Sequence, residues 1–161
     1  MIHIDRYRDF DRDEVIELVL HCQNDGSRPP TTVDDQPELL HIEEKYFGSG
    51  GGFWVAREEG RVIGNIGLMM AADDTAVLKK FFVSEGYRGE PHHLGRRLYA
   101  VLLAFAKERR VKQLVLDTPR NTVRAHRFYE KAGFRKISEE ELPVRYDYPY
   151  PDCDFFRLEL P

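Results

Sequence analysis

Cysteine is scarce in this chain. Two residues in 161, Cys22 and Cys153, allow at most one bridge, so the fold must stand without staples. A secretory leader is missing as well: no basic, apolar segment with a small-residue cleavage site precedes the first charged residues, which predicts a cytoplasmic protein with reduced thiols. Long apolar runs are absent. The most apolar stretch, around Leu98 to Ala106, has charge on both sides and falls well short of the ~20 residues that cross a bilayer, so no membrane partner is expected. An excess of positive charge is lacking too, and a formal net charge of −4 argues against a general nucleic-acid binder. Neither repeats nor low-complexity tracts occur. With 42% apolar and 32% charged residues, residues 1–161 read as a single domain that buries roughly two-thirds of its unfolded surface.

The charge that is present is unevenly placed. Residues 79 to 136 hold 15 Lys/Arg against 5 Asp/Glu, and the rest of the chain holds 9 against 23. A basic segment set inside an acidic one suits a protein that holds an anionic ligand with one part and a cationic one with another. The plainer alternative is a set of solvated helix faces.

Apolar periodicity predicts a strand over Ile2 to Tyr7. A helix follows, with Asp11 and Glu14 as a capping box ahead of Val15, Leu18, Val19 and Cys22. A loop spans Asn24 to Asp35, and a short helix beginning near Pro37 carries Leu39, Ile42 and Tyr46. Phe53 to Arg57 and Val62 to Met70 form a hairpin about Glu58-Glu59-Gly60-Arg61, and Ala76 to Val83 is a further strand. Leu94, Leu98, Val101, Leu102 and Phe105 mark a helix face. Gln113 to Leu116 reads as a buried strand, Thr122 to Ala132 as a helix, and Phe134 to Ser138 and Phe155 to Leu160 as closing strands. The pattern is mixed α/β rather than a regular βαβ winding.

Two segments carry chemistry. In Val83-Ser84-Glu85-Gly86-Tyr87-Arg88-Gly89-Glu90-Pro91-His92-His93-Leu94-Gly95-Arg96-Arg97 a strand runs through a Gly-containing loop into an amphipathic helix. Free N–H groups at a helix start, with three arginines beside them, make an anion site. A plain structural turn has the same outline. No Walker motif or dinucleotide fingerprint is present. The second segment, Asn121-Thr122-Val123-Arg124-Ala125-His126-Arg127-Phe128-Tyr129-Glu130-Lys131-Ala132-Gly133-Phe134, is far more specific. It resembles the second signature of the GNAT superfamily of acetyl-CoA-dependent N-acetyltransferases, and the first segment resembles that family's pyrophosphate loop. The loop departs from the common form: it is about two residues longer, and His93 stands where the middle glycine usually sits. His92 and His93 have no fitting metal-ligand neighbours and read as loop residues, so no metal is expected.

The resemblance implies a mixed, mostly antiparallel β-sheet flanked by helices on both faces, its central strands splayed between the strand ending at Val83 and the one at Gln113 to Asp117. It implies acetyl-CoA as cosubstrate, the pantetheine arm pairing with the backbone of Phe81 and Val83. Arg88, Gly89, Leu94, Gly95 and Arg96 would hold the pyrophosphate, Asn121 would bond the arm from the far side, and Tyr129 would bring its hydroxyl to the thioester sulfur. As a core aromatic beside Phe128, Tyr129 has a structural alternative.

The acceptor amine needs a base, because freeing an ammonium of pKa ~10.4 at pH 7 costs about 4–5 kcal/mol. Asp117, Asp73, Asp74 and the run Glu139-Glu140-Glu141 are candidates, each more readily read as a turn or surface carboxylate. Tyr146, Tyr148 and Tyr150, with Asp147, Asp152 and Asp154, suggest an acidic aromatic rim for a small organic cation, or else a packing loop or homodimer contact. The expected function is acetyl transfer to a primary amine of a small molecule. A non-catalytic acyl-CoA sensor and an assembly module joined through the tail from Pro143 are the alternatives.

Overall fold

A computed structural model describes all residues, Met1–Pro161. Seven strands form one sheet: β1 (Ile2–Arg6), β2 (Gly52–Glu58), β3 (Arg61–Met70), β4 (Thr75–Val83), β5 (Gln113–Pro119), β6 (Arg135–Ile137) and β7 (Cys153–Glu159). Their order is β1-β2-β3-β4-β5-β7-β6. Every neighbouring pair is antiparallel except β4 and β5. Alternation of side chains divides the core. Phe53, Val55 and Val62 face α1 (Arg12–Gln23), while Trp54, Ala56, Ile63, Leu68, Ala76 and Leu78 face α2 (Leu94–Glu108) and α3 (Val123–Lys131). Helices therefore cover both faces, as the resemblance implies. No helix is long and apolar enough to cross a membrane.

The β2–β3 hairpin forms as its sequence predicts. Glu59 and Gly60 both take positive φ, 52° and 79°, between the paired residues Glu58 and Arg61, which is the backbone of a tight turn whose twist matches the strands. Other expectations shift. The capping box lies three residues earlier, Arg8 N donating to Asp11 Oδ2 at 3.0 Å, because Asp11 is buried as the ion partner of Arg57. Glu14 instead accepts from Val62 N at 3.3 Å.

The expected helix after Pro37 is a 3-10 turn (Pro37–Leu40) followed by a π-helical turn (Glu43–Phe47). Tertiary packing wins there: Tyr46 must lie on Gly67, where an added Cβ would come 2.6 Å from its ring. β5 runs three residues past Leu116, and β7 inserts between β5 and β6, pairing with β5 along its whole length.

The central parallel pair positions the site. β4 and β5 are paired only from Thr75↔Gln113 to Val77↔Val115. Beyond Val77 and Val115 they diverge, which is the splay between these two strands that the resemblance implies, and the β4 edge from Leu78 to Val83 faces a gap.

Candidate active site

β4 carries a bulge at that gap. Asn65 pairs with Phe82 and Gly67 with Lys79, which leaves Lys80 and Phe81 opposite Ile66. Lys80 takes φ 53°, a left-handed conformation that a non-glycine residue keeps only when its surroundings enforce it. The enforcement is visible: the buried Asn65 amide donates to Lys80 O at 2.7 Å, and Lys80 Nζ lies 3.2 Å from Glu38 Oε2. Tyr46 donates its hydroxyl to the same carboxylate oxygen at 3.2 Å. Burial pushes the Lys80 ammonium down and Glu38 opposes it. Lys79 donates to Asp147 O at 2.9 Å and lies 5.6 Å from the centre of the Tyr146 ring. After the bulge, Phe81 and Val83 face α2 and α3 while Phe82 faces α1.

Tyr129 projects from α3 into this cleft. Its ring is held by Phe128, Phe134, Phe156 and Phe81, with centroids 5.8, 5.5, 6.0 and 6.4 Å away. Burial, then the charge of Asp117, pushes its hydroxyl pKa up, so the group is a neutral donor at all physiological pH. Asp117, on the end of β5 that has parted from β4, lines the same cleft. Burial raises its carboxyl pKa, and Lys79 and the Tyr146 hydroxyl partly offset this.

The other carboxylate candidates are elsewhere. Asp73 and Asp74 lie in the turn before β4, where the carbonyl of Asp74 takes the N–H of Lys112 at 2.8 Å. Glu141 caps its own turn through Ser138 N at 3.0 Å, and Glu139 is bound by Tyr148.

At the mouth of the cleft, α2 begins in the manner of an anion site. Arg97 N is the first to bond back, to His93 O at 3.1 Å, and no side chain caps the start. The N–H groups of Leu94, Gly95 and Arg96 thus lack intrahelical acceptors. His93 adopts φ 47° and ψ 43°, taking by left-handed backbone the role that a glycine would fill. His93 N closes the extended loop onto Gly89 O at 2.7 Å, and Gly89 itself has φ 67°.

Gly95 packs over Phe81, which an added Cβ would meet at 3.5 Å. Arg96 and Arg97 are exposed at the helix start. Arg124, at the start of α3, reaches the loop, its guanidinium 3.7 Å from where a Cβ on Gly89 would be. Asn121 sits in the exposed turn after β5, which Thr122 ties down through Pro119 O at 2.7 Å.

Arg88 behaves differently from its sequence reading. It folds back, Nε donating to Val83 O at 2.9 Å and Nη2 approaching Cys22 Sγ at 3.8 Å, and so braces the loop from behind. The carbonyl of Val83 is accordingly engaged. The acidic rim expected of the tail also dissolves. Asp152 and Asp154 pair with Arg120 at 3.1 and 3.4 Å, and Asp154 with Lys136 at 3.2 Å. The tail tyrosines pack inward, Tyr148 against Phe155 at 5.2 Å and Tyr146 against Tyr148 at 5.7 Å.

Sequence reasoning missed Glu38, Asn65 and Arg124. Glu38 and Asn65 lie in segments with no motif, and only the fold brings them to the bulge. Arg124 stood within the second signature, and its place at a helix start beside a Gly-rich loop was an available signal.

Comparison with known proteins agrees with this fold. The sequence model of the Acetyltransferase (GNAT) family matches residues 13–134. A solved acetyltransferase from Streptococcus agalactiae is 36% identical, with a TM-score of 0.93 over 99% of this chain and 98% of that one. A GNAT-family acetyltransferase from Staphylococcus aureus is 32% identical, with a TM-score of 0.94 over the whole of both chains. The Salmonella typhimurium protein yncA, solved with its cofactor acetyl-CoA, shares the fold at 20% identity, with a TM-score of 0.75 over 99% of this chain and 94% of that one.

Among curated relatives, Probable N-acetyltransferase camello of Xenopus tropicalis is 33% identical over 66% of this chain and 49% of its own length. N-acetylaspartate synthetase of Danio rerio is 33% identical over 76% of this chain and 42% of its own. The chain thus spans about half or less of the length of these two relatives.

Proposed function

Since the chain belongs to the GNAT acetyltransferase family, we propose that it transfers the acetyl group of acetyl-CoA to a primary amine of a small molecule, by direct attack within a ternary complex. The observation that carries this reading is the continuity of two features: the gap between β4 and β5 opens beside the uncapped first turn of α2. An edge strand offers main-chain groups to an extended amide-bearing arm, and the helix start offers N–H groups and a positive dipole end to phosphates. The residues present therefore fit the cosubstrate. Leu94, Gly95 and Arg96 would hold its pyrophosphate, with Gly89 shaping the loop and Arg124 adding charge. Phe81 would present backbone to the arm, Val83 would add its N–H since Arg88 takes its carbonyl, and Asn121 would meet the arm from the β5 side.

When bound, acetyl-CoA supplies an acyl group activated as a thioester of a thiol of pKa ~8.5. The chain's own residues supply the proton traffic. Asp117 collects the proton of the incoming ammonium, a task favoured by the burial that raises its basicity. Tyr129, kept neutral by its surroundings, donates its hydroxyl to the departing sulfur. Asn65 and Glu38 hold the bulge and so position the β4 edge beside which the reaction occurs.

A small-molecule acceptor is also supported by the name N-acetylaspartate synthetase borne by the Danio rerio relative. The test is thiol release from acetyl-CoA with a panel of amines, the acetylated product being identified by mass. CoA release that depends on a small amine is the expected result. Cosubstrate binding with no transfer to any amine would favour the sensor reading instead.

A further inference from the structure

The loop between α1 and β2 brings one cation into the cleft that the acetyl transfer described above does not use. Arg28 lines the cleft together with Asp117 and Tyr129. Its guanidinium carbon lies 5.5 Å from the centre of the Phe82 ring and 6.0 Å from that of Tyr150. Two elements far apart in sequence therefore close around it. The loop that carries it is clasped at its base, Asn24 Nδ2 donating to Thr31 O at 3.1 Å and Thr31 N to Asn24 Oδ1 at 3.0 Å.

Charge accounting sets Arg28 apart from the other cations there. Lys80 is matched by Glu38, and Lys79 donates to Asp147 O with the charge of Asp117 nearby. Arg28 faces the charge of Asp25 and the hydroxyl of Tyr150, yet no carboxylate lies within ion-pair distance of it, and its Nε is buried without a hydrogen-bond partner. A buried, unpaired donor of this kind is costly unless something completes it. We propose that Arg28 is the specificity residue of the acceptor site and that the acceptor is a primary amine bearing a carboxylate, an amino acid in the broad sense. The planar fork of a guanidinium matches a carboxylate in two parallel hydrogen bonds. Held by two rings and a clasped loop, it loses little freedom on binding. A polyamine or an aminoglycoside would instead meet a like charge at the cleft wall.

This inference rests on the proposed acetyl transfer, and the experiment separates the two. The full-length protein is assayed for CoA release with each of the twenty L-α-amino acids, with β-alanine and 4-aminobutyrate, with the carboxamide of every accepted acid, and with spermidine and kanamycin. The expected result is that carboxylates are preferred over their carboxamides by about ten- to a hundredfold in kcat/KM, the range of one charge-assisted contact. Arg28→Gln should raise the KM of the carboxylate by a similar factor and leave the carboxamide nearly unchanged. The KM for acetyl-CoA should not move, and Arg28→Lys should rescue only in part. Preference for spermidine or kanamycin, or an Arg28→Gln effect equal on acid and amide, overturns the inference while leaving the transferase reading intact. A protein that binds CoA and acetylates none of these amines overturns both.

Discussion

Arg88 Nε donates to Val83 O at 2.9 Å, so the loop after β4 is stitched to the strand it leaves. The guanidinium is spent on its own backbone, whereas Arg96 projects from the helix start into solvent. The two arginines should therefore fail in different ways. Arg96→Ala should weaken CoA binding and flatten its dependence on ionic strength, because exposed charges act on a polyanion through a field screened over ~8–10 Å. Arg88→Ala should lower the melting temperature and weaken CoA through loop disorder, with the slope against salt largely kept. Titrations of both variants across a salt series decide it; equal loss of slope in both would return Arg88 to the phosphate site.

Gly95 offers a sharper test of the helix start. An added Cβ would make ordinary contact with Phe81 at 3.5 Å, so Gly95→Ala should fold and keep most of the melting-temperature rise that CoA produces. Gly95→Asp sets a carboxylate at the point where the N–H groups and helix dipole favour an anion, and like charges there repel within a few Å. The rise should vanish in the aspartate variant. A folded Gly95→Asp protein with an undiminished shift removes the pyrophosphate from this helix.

Asp117 should show a conflict between stability and activity. Its carboxyl pKa is raised by burial, so the folded state prefers the protonated form. The stability from that preference is present at low pH and is lost as pH rises through the folded pKa. Ionised Asp117 is thus a burden on the fold at neutral pH. Asp117→Asn should melt higher than the parent at pH 7 to 8, with the gap closing toward pH 4. If the residue is the base, the same variant should lose about a hundredfold or more in kcat/KM at pH 7. The deficit should shrink as pH nears the amine's pKa of ~10. A variant that is neither stabilised nor slowed leaves Asp117 without a role.

The sequence made most of this architecture readable because its signals are local. Alternation in β2 and β3, the Glu59-Gly60 turn, the apolar face of α2 and the Tyr129 signature all lie within short windows. The splay, the bulge and the order of β7 are not local. Whether β5 stays beside β4 depends on β7 pairing along β5, and the bulge depends on Asn65, 15 residues from Lys80. The segment from Pro37 to Phe47 misled for the same reason, its apolar spacing suiting a helix while its contacts with Gly67 enforce two irregular turns. Charge counts could not say which tail carboxylates were free; Asp152 and Asp154 were already matched by Arg120 and Lys136.

Tyr129→Phe tests the acid directly. Four aromatic rings hold the Tyr129 ring, and no side chain or backbone group of the protein fixes its hydroxyl, so the phenylalanine variant should keep its fold. Acetyl-CoA affinity should be nearly unchanged, since the hydroxyl meets the sulfur strongly only as the C–S bond breaks. An interaction made in the transition state and hardly in the ground state appears in kcat and spares KM. General acids contribute ~10²–10⁴-fold, but a thiolate of pKa ~8.5 also leaves unaided, which puts the expected loss near the low end. A fall in kcat of about tenfold or more, with KM for acetyl-CoA within about twofold, is the outcome that assigns the acid. Single-turnover measurement is the proper readout, because slow product release would mask the step. An unchanged single-turnover rate would make Tyr129 a packing residue, and the thiolate would then depart without a proton from the protein.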